Sequence, residues 1–138
     1  MRSSLIAVFA TLIILLSACG STPASTLTAQ AVVDSFNTAG LGLSDVVAPE
    51  RNPSAPLPNS YTERLVFTIA EVSPNGGQVF VCATKQNCDA IYAYYEALVA
   101  LAGPYLYQSP NGLVVVQLNS GLAPETAAKF QQAVGVFK

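Results

Sequence analysis

The stretch TERLVFTIAEVSPNGGQVFVC, residues 62–82, decides the fold of this chain. Two apolar runs, LVFTIAEV and GQVFV, flank the tetrapeptide SPNG, and Asn-Gly between apolar runs is a strong signal for a β-hairpin turn. In the first run, Leu65, Phe67 and Ile69 fall on alternate positions, which is the period of a strand with two different faces. We therefore predict an antiparallel hairpin in this stretch.

The tetrapeptide SPNG occurs twice, at residues 73–76 and at residues 109–112. The second copy lies between the apolar runs PYLYQ and LVVVQL, so it predicts a second hairpin. A segment with helical spacing follows each hairpin: NCDAIYAYYEALVALAG over 87–103, which Asn87 can cap, and APETAAKFQQAVGVF over 123–137. The chain thus repeats a strand–strand–helix unit.

A further helix precedes the two units. Apolar residues at helical spacing from Ala29 to Phe36 predict it, Thr28 can cap its start, and Gly40 suits its C-terminal end. The order is α-(ββα)-(ββα), from which we predict an α+β fold with a four-stranded, mainly antiparallel sheet packed with helices on at least one face. The segment PERNPSAPLPNS, residues 49–60, contains four prolines and predicts an extended surface loop.

The N-terminus has the three-part layout of a secretory signal peptide. Arg2 precedes the apolar run LIAVFATLIILL, whose 12 residues are fewer than the about 20 that a membrane-spanning helix needs. The run ends in Leu16-Ser17-Ala18-Cys19, which resembles the lipobox of bacterial lipoproteins: a branched apolar residue, two small residues and a cysteine. An ordinary signal peptide with a chance cysteine is the alternative.

The lipobox resemblance implies that residues 1–18 are a removed signal peptide and that Cys19 carries a diacylglyceryl group on its sulfur. Residues 19–27 would then be the lipidated cysteine and a flexible tether of small polar residues, and residues 28–138 a single α+β domain. The expected location is extracytoplasmic, on a bacterial membrane. The lipid bilayer would be a partner through acylated Cys19, since two acyl chains hold firmly where one binds only marginally.

Two further cysteines, Cys82 and Cys88, lie in the segment VCATKQNCD. An even pair in an exported domain is most simply a structural disulfide, and closing so small a loop adds about 2 kcal/mol of stability on the loop-entropy estimate. A zinc site is a weaker alternative because the chain has no histidine, and a redox pair more usually has the spacing Cys-x-x-Cys.

The chain lacks the residues of most catalytic and cofactor sites. Without histidine, a Ser-His-Asp or Cys-His triad is impossible, and no glycine-rich segment continues into the Lys-Ser/Thr of a phosphate loop. The 8 acidic residues are dispersed along the chain. We therefore predict no catalytic residue, no metal site, no cofactor and no enzymatic activity. A carboxylate pair assembled by the fold is the catalytic alternative that the sequence leaves open.

The charge balance argues against nucleic acid as a partner. Once Arg2 leaves with the signal peptide, five basic residues stand against eight acidic ones, and no basic cluster remains to neutralise phosphates. The mature domain is therefore expected to be weakly acidic, with a formal charge of −3.

Tyrosine, a residue type that often contacts ligands and partner proteins, is enriched between residues 92 and 107. Its apolar ring and polar hydroxyl suit half-wet contact surfaces, although the same side chain also packs at the rim of a core. We predict a contact surface made by the Pro-rich loop and by the tyrosines of the helix over 87–103 and of the strand after it: Tyr92, Tyr94, Tyr95, Tyr105 and Tyr107.

The segments AVVDSFNTAGLGLSDV (31–46), LVFTIAEV and GGQVFV span much of the mature chain. In them the chain resembles a loose group of small exported bacterial proteins with a helix ending in an AGL-type turn, a strand, a Gly-containing hairpin and a helix. The resemblance implies no activity. We expect a membrane-anchored, non-enzymatic binding or adaptor domain, with an envelope protein or a small molecule as partner. A structural cell-envelope protein without a specific ligand is the alternative.

Overall fold

A five-stranded antiparallel sheet forms the centre of the domain. The computed structural model describes residues 26–138, and its strands are β1 (Leu43–Val47), β2 (Glu63–Ile69), β3 (Gly76–Val81), β4 (Leu106–Gln108) and β5 (Val114–Leu118). Their spatial order is β1-β2-β3-β5-β4, and every neighbouring pair is antiparallel. The predicted α+β class, an antiparallel sheet packed with helices, is confirmed.

The predicted number of strands, four, is wrong because β1 adds a fifth at one edge. β1 pairs with β2, with a bulge between Ser44 and Val47. Asp45 lies in this bulge with a left-handed φ of 49°, and most side chains of the strand are exposed. A short, mostly exposed strand with an irregular register has no clear alternation, so the pattern that marks the other strands is missing here.

Both SPNG segments connect paired strands, although neither is a two-residue turn. β2 continues into a 3-10 turn over Ala70–Val72 before β3 begins at Gly76. In the second connection, Gly112 N–H donates a hydrogen bond of 2.8 Å to the Ser109 carbonyl, and Gly112 takes a φ of 75° that glycine adopts without strain. β3 and β5 lie side by side, so the two hairpins form one sheet.

Within residues 26–138, four helices accompany the sheet: α1 (Ala29–Thr38), α2 (Lys85–Ala97), α3 (Val99–Ala102) and α4 (Pro124–Val134). The predicted cap at Thr28 is confirmed, since its Oγ1 accepts a hydrogen bond from the first turn of α1. The helix predicted over 87–103 starts earlier, because Thr84 and not Asn87 is its N-cap. It also divides into α2 and the single turn α3.

Helices cover both faces of the sheet, because the central strands are apolar on both sides. On the face that we call the helix-pair face, α1 and α4 pack against a core built around Phe36, Phe67, Val79, Val116 and Phe130. On the opposite face, the α2 face, α2 packs against a smaller core made by Tyr61, Phe80, Cys82, Cys88, Ile91 and Val115. The sheet is therefore the middle of three layers.

Two carboxylates near the ends of β2 hold the starts of α1 and α4. Glu63 accepts a hydrogen bond of 2.7 Å from Ala29 N–H. Glu71 accepts hydrogen bonds of 2.6 Å from Ala123 N–H and from the Thr126 hydroxyl. Ala123 is the N-cap of α4 and has no side-chain acceptor, so Glu71 supplies the one that the helix start needs.

The Pro-rich segment over 49–60 contains no helix or strand, as predicted, and it packs beside α2. The Arg51 guanidinium lies 4.2 Å from the centre of the Tyr61 ring. The Ser60 hydroxyl donates a hydrogen bond of 2.8 Å to the Asn87 carbonyl in α2. These contacts hold the loop against the domain.

Cys82 and Cys88 form the predicted disulfide. The bond joins the end of β3 to the start of α2, with the two Cα atoms 5.6 Å apart, and both cysteines are buried in the core of the α2 face.

The predicted signal peptide over 1–18, the lipidation at Cys19 and most of the tether lie outside the described residues, so they stay predictions. Within residues 26–138, no helix has the length and apolar character needed to cross a bilayer.

The replacement Glu71→Gln should make the domain less stable near neutral pH. The stability of the variant should also fall less steeply than that of the parent as the pH is lowered. The hydrogen bonds from Thr126 and Ala123, together with the charge of Lys129, lower the pKa of Glu71 from its ordinary value of 4.5. The carboxylate therefore stabilises the fold above that value, and the contribution is lost as the pH falls through the lowered pKa. Urea denaturation midpoints of parent and variant should converge in acid.

Glu50→Gln is the matched control for this charge change, because Glu50 is exposed on the Pro-rich loop. Its midpoint should differ little from that of the parent, because surface substitutions usually change stability by less than about 0.5 kcal/mol. An offset for Glu71→Gln that did not narrow in acid would contradict the capping role.

Reduction of the Cys82–Cys88 disulfide should lower the free energy of unfolding by about 2 kcal/mol, the loop-closure entropy of so short a loop. The domain should stay folded, because typical domains have about 5–15 kcal/mol of stability. Urea unfolding with and without reductant measures the difference. The variant Cys82→Ala/Cys88→Ala is the control and should not respond to reductant. Equal stability of the oxidised and reduced proteins would refute a stabilising role.

Candidate functional site

A polar groove opens on the α2 face of the sheet, at the C-terminal end of α2. α2 covers Phe80 and Val115, and the next residues on the same face, Gln78 and Gln117, lie where the chain leaves α2 and turns through α3. The groove has a volume of about 370 Å³. It is lined by Arg64, Val66, Asn75, Gly76, Gly77, Gln78, Leu101, Ala102, Gln117, Asn119 and Ser120.

A connected network of side-chain hydrogen bonds runs along one side of the groove; Arg64, Gln78 and Gln117 line the groove, whereas Tyr95 is not among the lining residues. Arg64 Nε donates a hydrogen bond of 2.9 Å to Gln78 Oε1. Gln78 Nε2 donates to the Tyr95 hydroxyl oxygen at 2.7 Å and to Gln117 Oε1 at 2.9 Å. Gln117 Nε2 in turn donates to the Ala102 carbonyl at 2.9 Å, which ties α3 to the sheet.

Gln78 is the centre of this network and is only 9% exposed. It lies directly opposite Gln117 in the β3–β5 register, so the strand pairing itself brings the two amides together. A buried amide is costly unless its hydrogen bonds are made. No buried side-chain nitrogen or oxygen within residues 26–138 lacks a hydrogen-bond partner. The network is therefore a fixed feature of the folded domain.

Arg64 carries the only charge in the groove lining. Within residues 26–138 the one ion pair is Lys85–Asp89, on the surface of α2, so Arg64 has no carboxylate partner there. Its guanidinium carbon lies 5.4 Å from the centre of the Phe80 ring, within the range of a cation–π interaction. A half-buried positive charge thus stands at the side of the groove.

Burial raises the pKa of Tyr95, while the charge of Arg64 and the hydrogen bond from Gln78 act in the opposite direction. The hydroxyl therefore stays protonated at neutral pH and can donate a hydrogen bond.

In this network the side-chain oxygen atoms already accept hydrogen bonds, whereas some side-chain N–H and O–H groups are left without an acceptor. The Oε1 atoms of Gln78 and Gln117 and the Tyr95 oxygen all accept hydrogen bonds, whereas the Nη groups of Arg64 and the Tyr95 hydroxyl hydrogen donate none within residues 26–138. Because Arg64 lines the groove, its Nη groups can bind a ligand that brings acceptors of its own.

The five predicted contact tyrosines are all half-buried, and the sheet divides them. Tyr92 and Tyr95 pack against the core of the α2 face, and Tyr94 meets Tyr95 with the ring centres 5.1 Å apart. Tyr105 and Tyr107 pack against the core of the helix-pair face. The five rings therefore do not form one surface, and Tyr95 is the one whose hydroxyl joins the groove network. A contact role for the others stays a prediction.

Two of these tyrosines line a common pocket at the outer edge of β4. Tyr92 and Tyr107 line a smaller pocket of about 250 Å³ between α2 and α4. The predicted proximity of the Pro-rich loop to the tyrosine helix is found, because Leu57 packs against the same core as Tyr92 and Tyr95.

The carboxylates of the described domain serve mainly as local hydrogen-bond acceptors. Glu63 and Glu71 bind helix starts, and Asp89 accepts from Lys85 and Gln108, which lowers the pKa of Asp89. Among residues 26–138, no three His, Cys, Asp or Glu side chains come together as a metal site would require.

Sequence reasoning missed Arg64, Gln78 and Gln117. Their signal is present: GGQVFV and LVVVQL each place one glutamine inside an otherwise apolar strand. A polar residue in a strand that is buried on both faces needs a partner, which suggests a pair across strands. Residue 78 and residue 117 are 39 positions apart, however, and only the register shows that they are opposite each other.

Neither a protein-family model, nor a curated protein, nor a solved structure matches this chain. The geometry of the groove is therefore the basis for the functional proposal.

Replacement Gln78→Met should lower the free energy of unfolding by about 1–3 kcal/mol. Methionine keeps the length of the side chain but leaves Arg64 Nε and Gln117 Oε1 without their partner. Urea denaturation measures the loss. Gln86→Met, at an exposed position of α2, is the control and should change stability by less than about 0.5 kcal/mol. Equal effects of the two variants would contradict a central role for Gln78.

Proposed function

We propose that this protein is a lipid-anchored, extracytoplasmic binding domain of a bacterial envelope, which holds a small ligand in the polar groove without transforming it. The observation that carries the proposal is the side of the groove itself: a fixed hydrogen-bond network in which Arg64 has no carboxylate partner among residues 26–138 and keeps its Nη donors, beside a cavity of about 370 Å³. That volume lies at the lower end of the range of small-molecule sites.

The anchor is supported by the lipobox resemblance at residues 16–19, and the short tether would keep the domain near the bilayer. Residues 20–27 can span roughly 25 Å when extended. α1 begins at Ala29, so little chain separates the lipid from the folded domain.

The position of the groove relative to the tether supports a role in binding. Leu27 enters the domain beside Val81 and Leu113, at one end of the central strands. Asn75 and Asn119, which line the groove, lie beyond the opposite end of those strands. The 7 residues of β2 span about 23 Å between the two ends. The groove therefore lies at the end of the domain that is farther from the point where the tether enters.

The groove chemistry favours binding over catalysis. Its lining contains no carboxylate, thiol or histidine, and Arg64 is too basic to act as a general acid or base at neutral pH. The side chains that remain can orient a ligand by hydrogen bonds and charge.

Intact-mass measurement of the protein purified from bacterial membranes tests the anchor. We expect a mature chain that begins at Cys19 and carries a diacylglyceryl group, because the lipobox resemblance places modification and cleavage at that residue. Cys19→Ser should lose the lipid mass, whereas the neighbouring control Ser21→Ala should keep it. An unmodified Cys19 at the mature N-terminus would end the proposal of a lipid anchor.

A further inference from the structure

We propose that the groove recognises the carboxylate of a small organic ligand and that Arg64 binds it. The inference rests on the binding function proposed above and names the chemistry of its ligand. Three observations support the inference: the hydrogen bonding of the Arg64 guanidinium, the charge around the groove and the volume of the groove.

The guanidinium of Arg64 is oriented before any ligand arrives. Its Nε–H donates a hydrogen bond of 2.9 Å to Gln78 Oε1, and its guanidinium carbon lies 5.4 Å from the centre of the Phe80 ring. The bonded Nε–H and the neighbouring Phe80 ring restrict the guanidinium, and its two Nη atoms have no hydrogen bond within residues 26–138. A planar pair of N–H donors matches the two oxygens of a carboxylate, which is the geometry of strong bidentate pairs.

Arg51 differs from Arg64, because the Nη groups of Arg51 donate hydrogen bonds to backbone carbonyls of the domain. Its Nη1 donates to the Asn59 carbonyl, and its Nη2 donates to the carbonyls of Tyr61 and Thr62. Those bonds hold the Pro-rich loop. The Nη groups of Arg64 have no such bonds within residues 26–138, although Arg64 is the more buried of the two.

The charge around the groove favours one carboxylate over a polyanion. Arg64 is the only charged residue in the lining, and the mature chain has a formal charge of −3. A single positive charge balances one carboxylate, whereas phosphates and anionic polymers are usually bound by several cations.

The rest of the groove suits a short polar molecule. Asn75, Asn119 and Ser120 offer amide and hydroxyl groups on its rim, and Leu101 is 86% exposed beside them as an apolar contact. A volume of about 370 Å³ admits a molecule of the size of a dipeptide or one acidic sugar. Both sources present the same carboxylate chemistry.

The experiment compares acids with their neutral counterparts on the lipidated mature protein in detergent micelles. The probes are alanylalanine and its C-terminal amide, and glucuronate and glucose, with affinity and contact site read from NMR chemical shifts. We expect one acid to bind about tenfold or more tightly than its neutral partner, as a charge-assisted bidentate pair would provide. The pair that shows the preference identifies the source.

Two arginine variants test the assignment to Arg64. Arg64→Gln should remove the preference for the acid, and Arg64→Lys should weaken binding severalfold because it keeps the charge but not the planar fork. Arg51→Gln is the matched control and should leave the preference unchanged, since Arg51 lies outside the groove. Should Arg64→Gln fail to fold, Arg64→Lys decides alone, and full affinity in that variant overturns the assignment.

The remaining outcomes separate this inference from the function on which it rests. Equal binding of acid and neutral probes at the groove would overturn the carboxylate inference and leave a binding domain. A preference that survived Arg64→Gln would do the same. No shift of the groove residues with any of the four probes would overturn both.

Discussion

The constraint on which this structure depends is that its two central strands are apolar on both faces. β3 and β5 place Val79 and Val116 toward one side of the sheet and Phe80 and Val115 toward the other. Neither side can be left to water, because exposing such side chains forfeits about 1.5–3 kcal/mol each. The helix pair α1 and α4 and the separate helix α2 follow from this requirement.

The groove follows from the same constraint. It lies on the α2 face of the sheet, at the place where α2 ends and α3 begins. α2 ends at Ala97, and the chain needs the single turn α3 to reach β4. The strands continue beneath that break, and there the sequence changes from apolar residues to Gln78 and Gln117. At this place Gln78 and Gln117 hydrogen-bond to the end of α2 and to α3, so the fold and the candidate site have one origin.

The sequence predicted those features that depend on neighbours along the chain. The hairpins around SPNG, the cap at Thr28 and the disulfide are local patterns, and all three are present. β1 escaped prediction because a bulge removes its alternation. The site was not predicted because Arg64, Gln78 and Gln117 belong to three different strands. No local sequence pattern indicates which residues of separate strands will lie opposite each other.

The two outer strands would have a consequence if the proposed anchor holds the protein at a membrane. β4 has only 3 residues, and β1 is interrupted by its bulge with Asp45 in a left-handed conformation. Short or irregular outer strands offer few aligned backbone groups to a neighbouring chain. An anchor in a bilayer would confine many copies to two dimensions, where collisions between identical domains are frequent. The sheet borders would then let the copies crowd together without joining into a continuous β-structure.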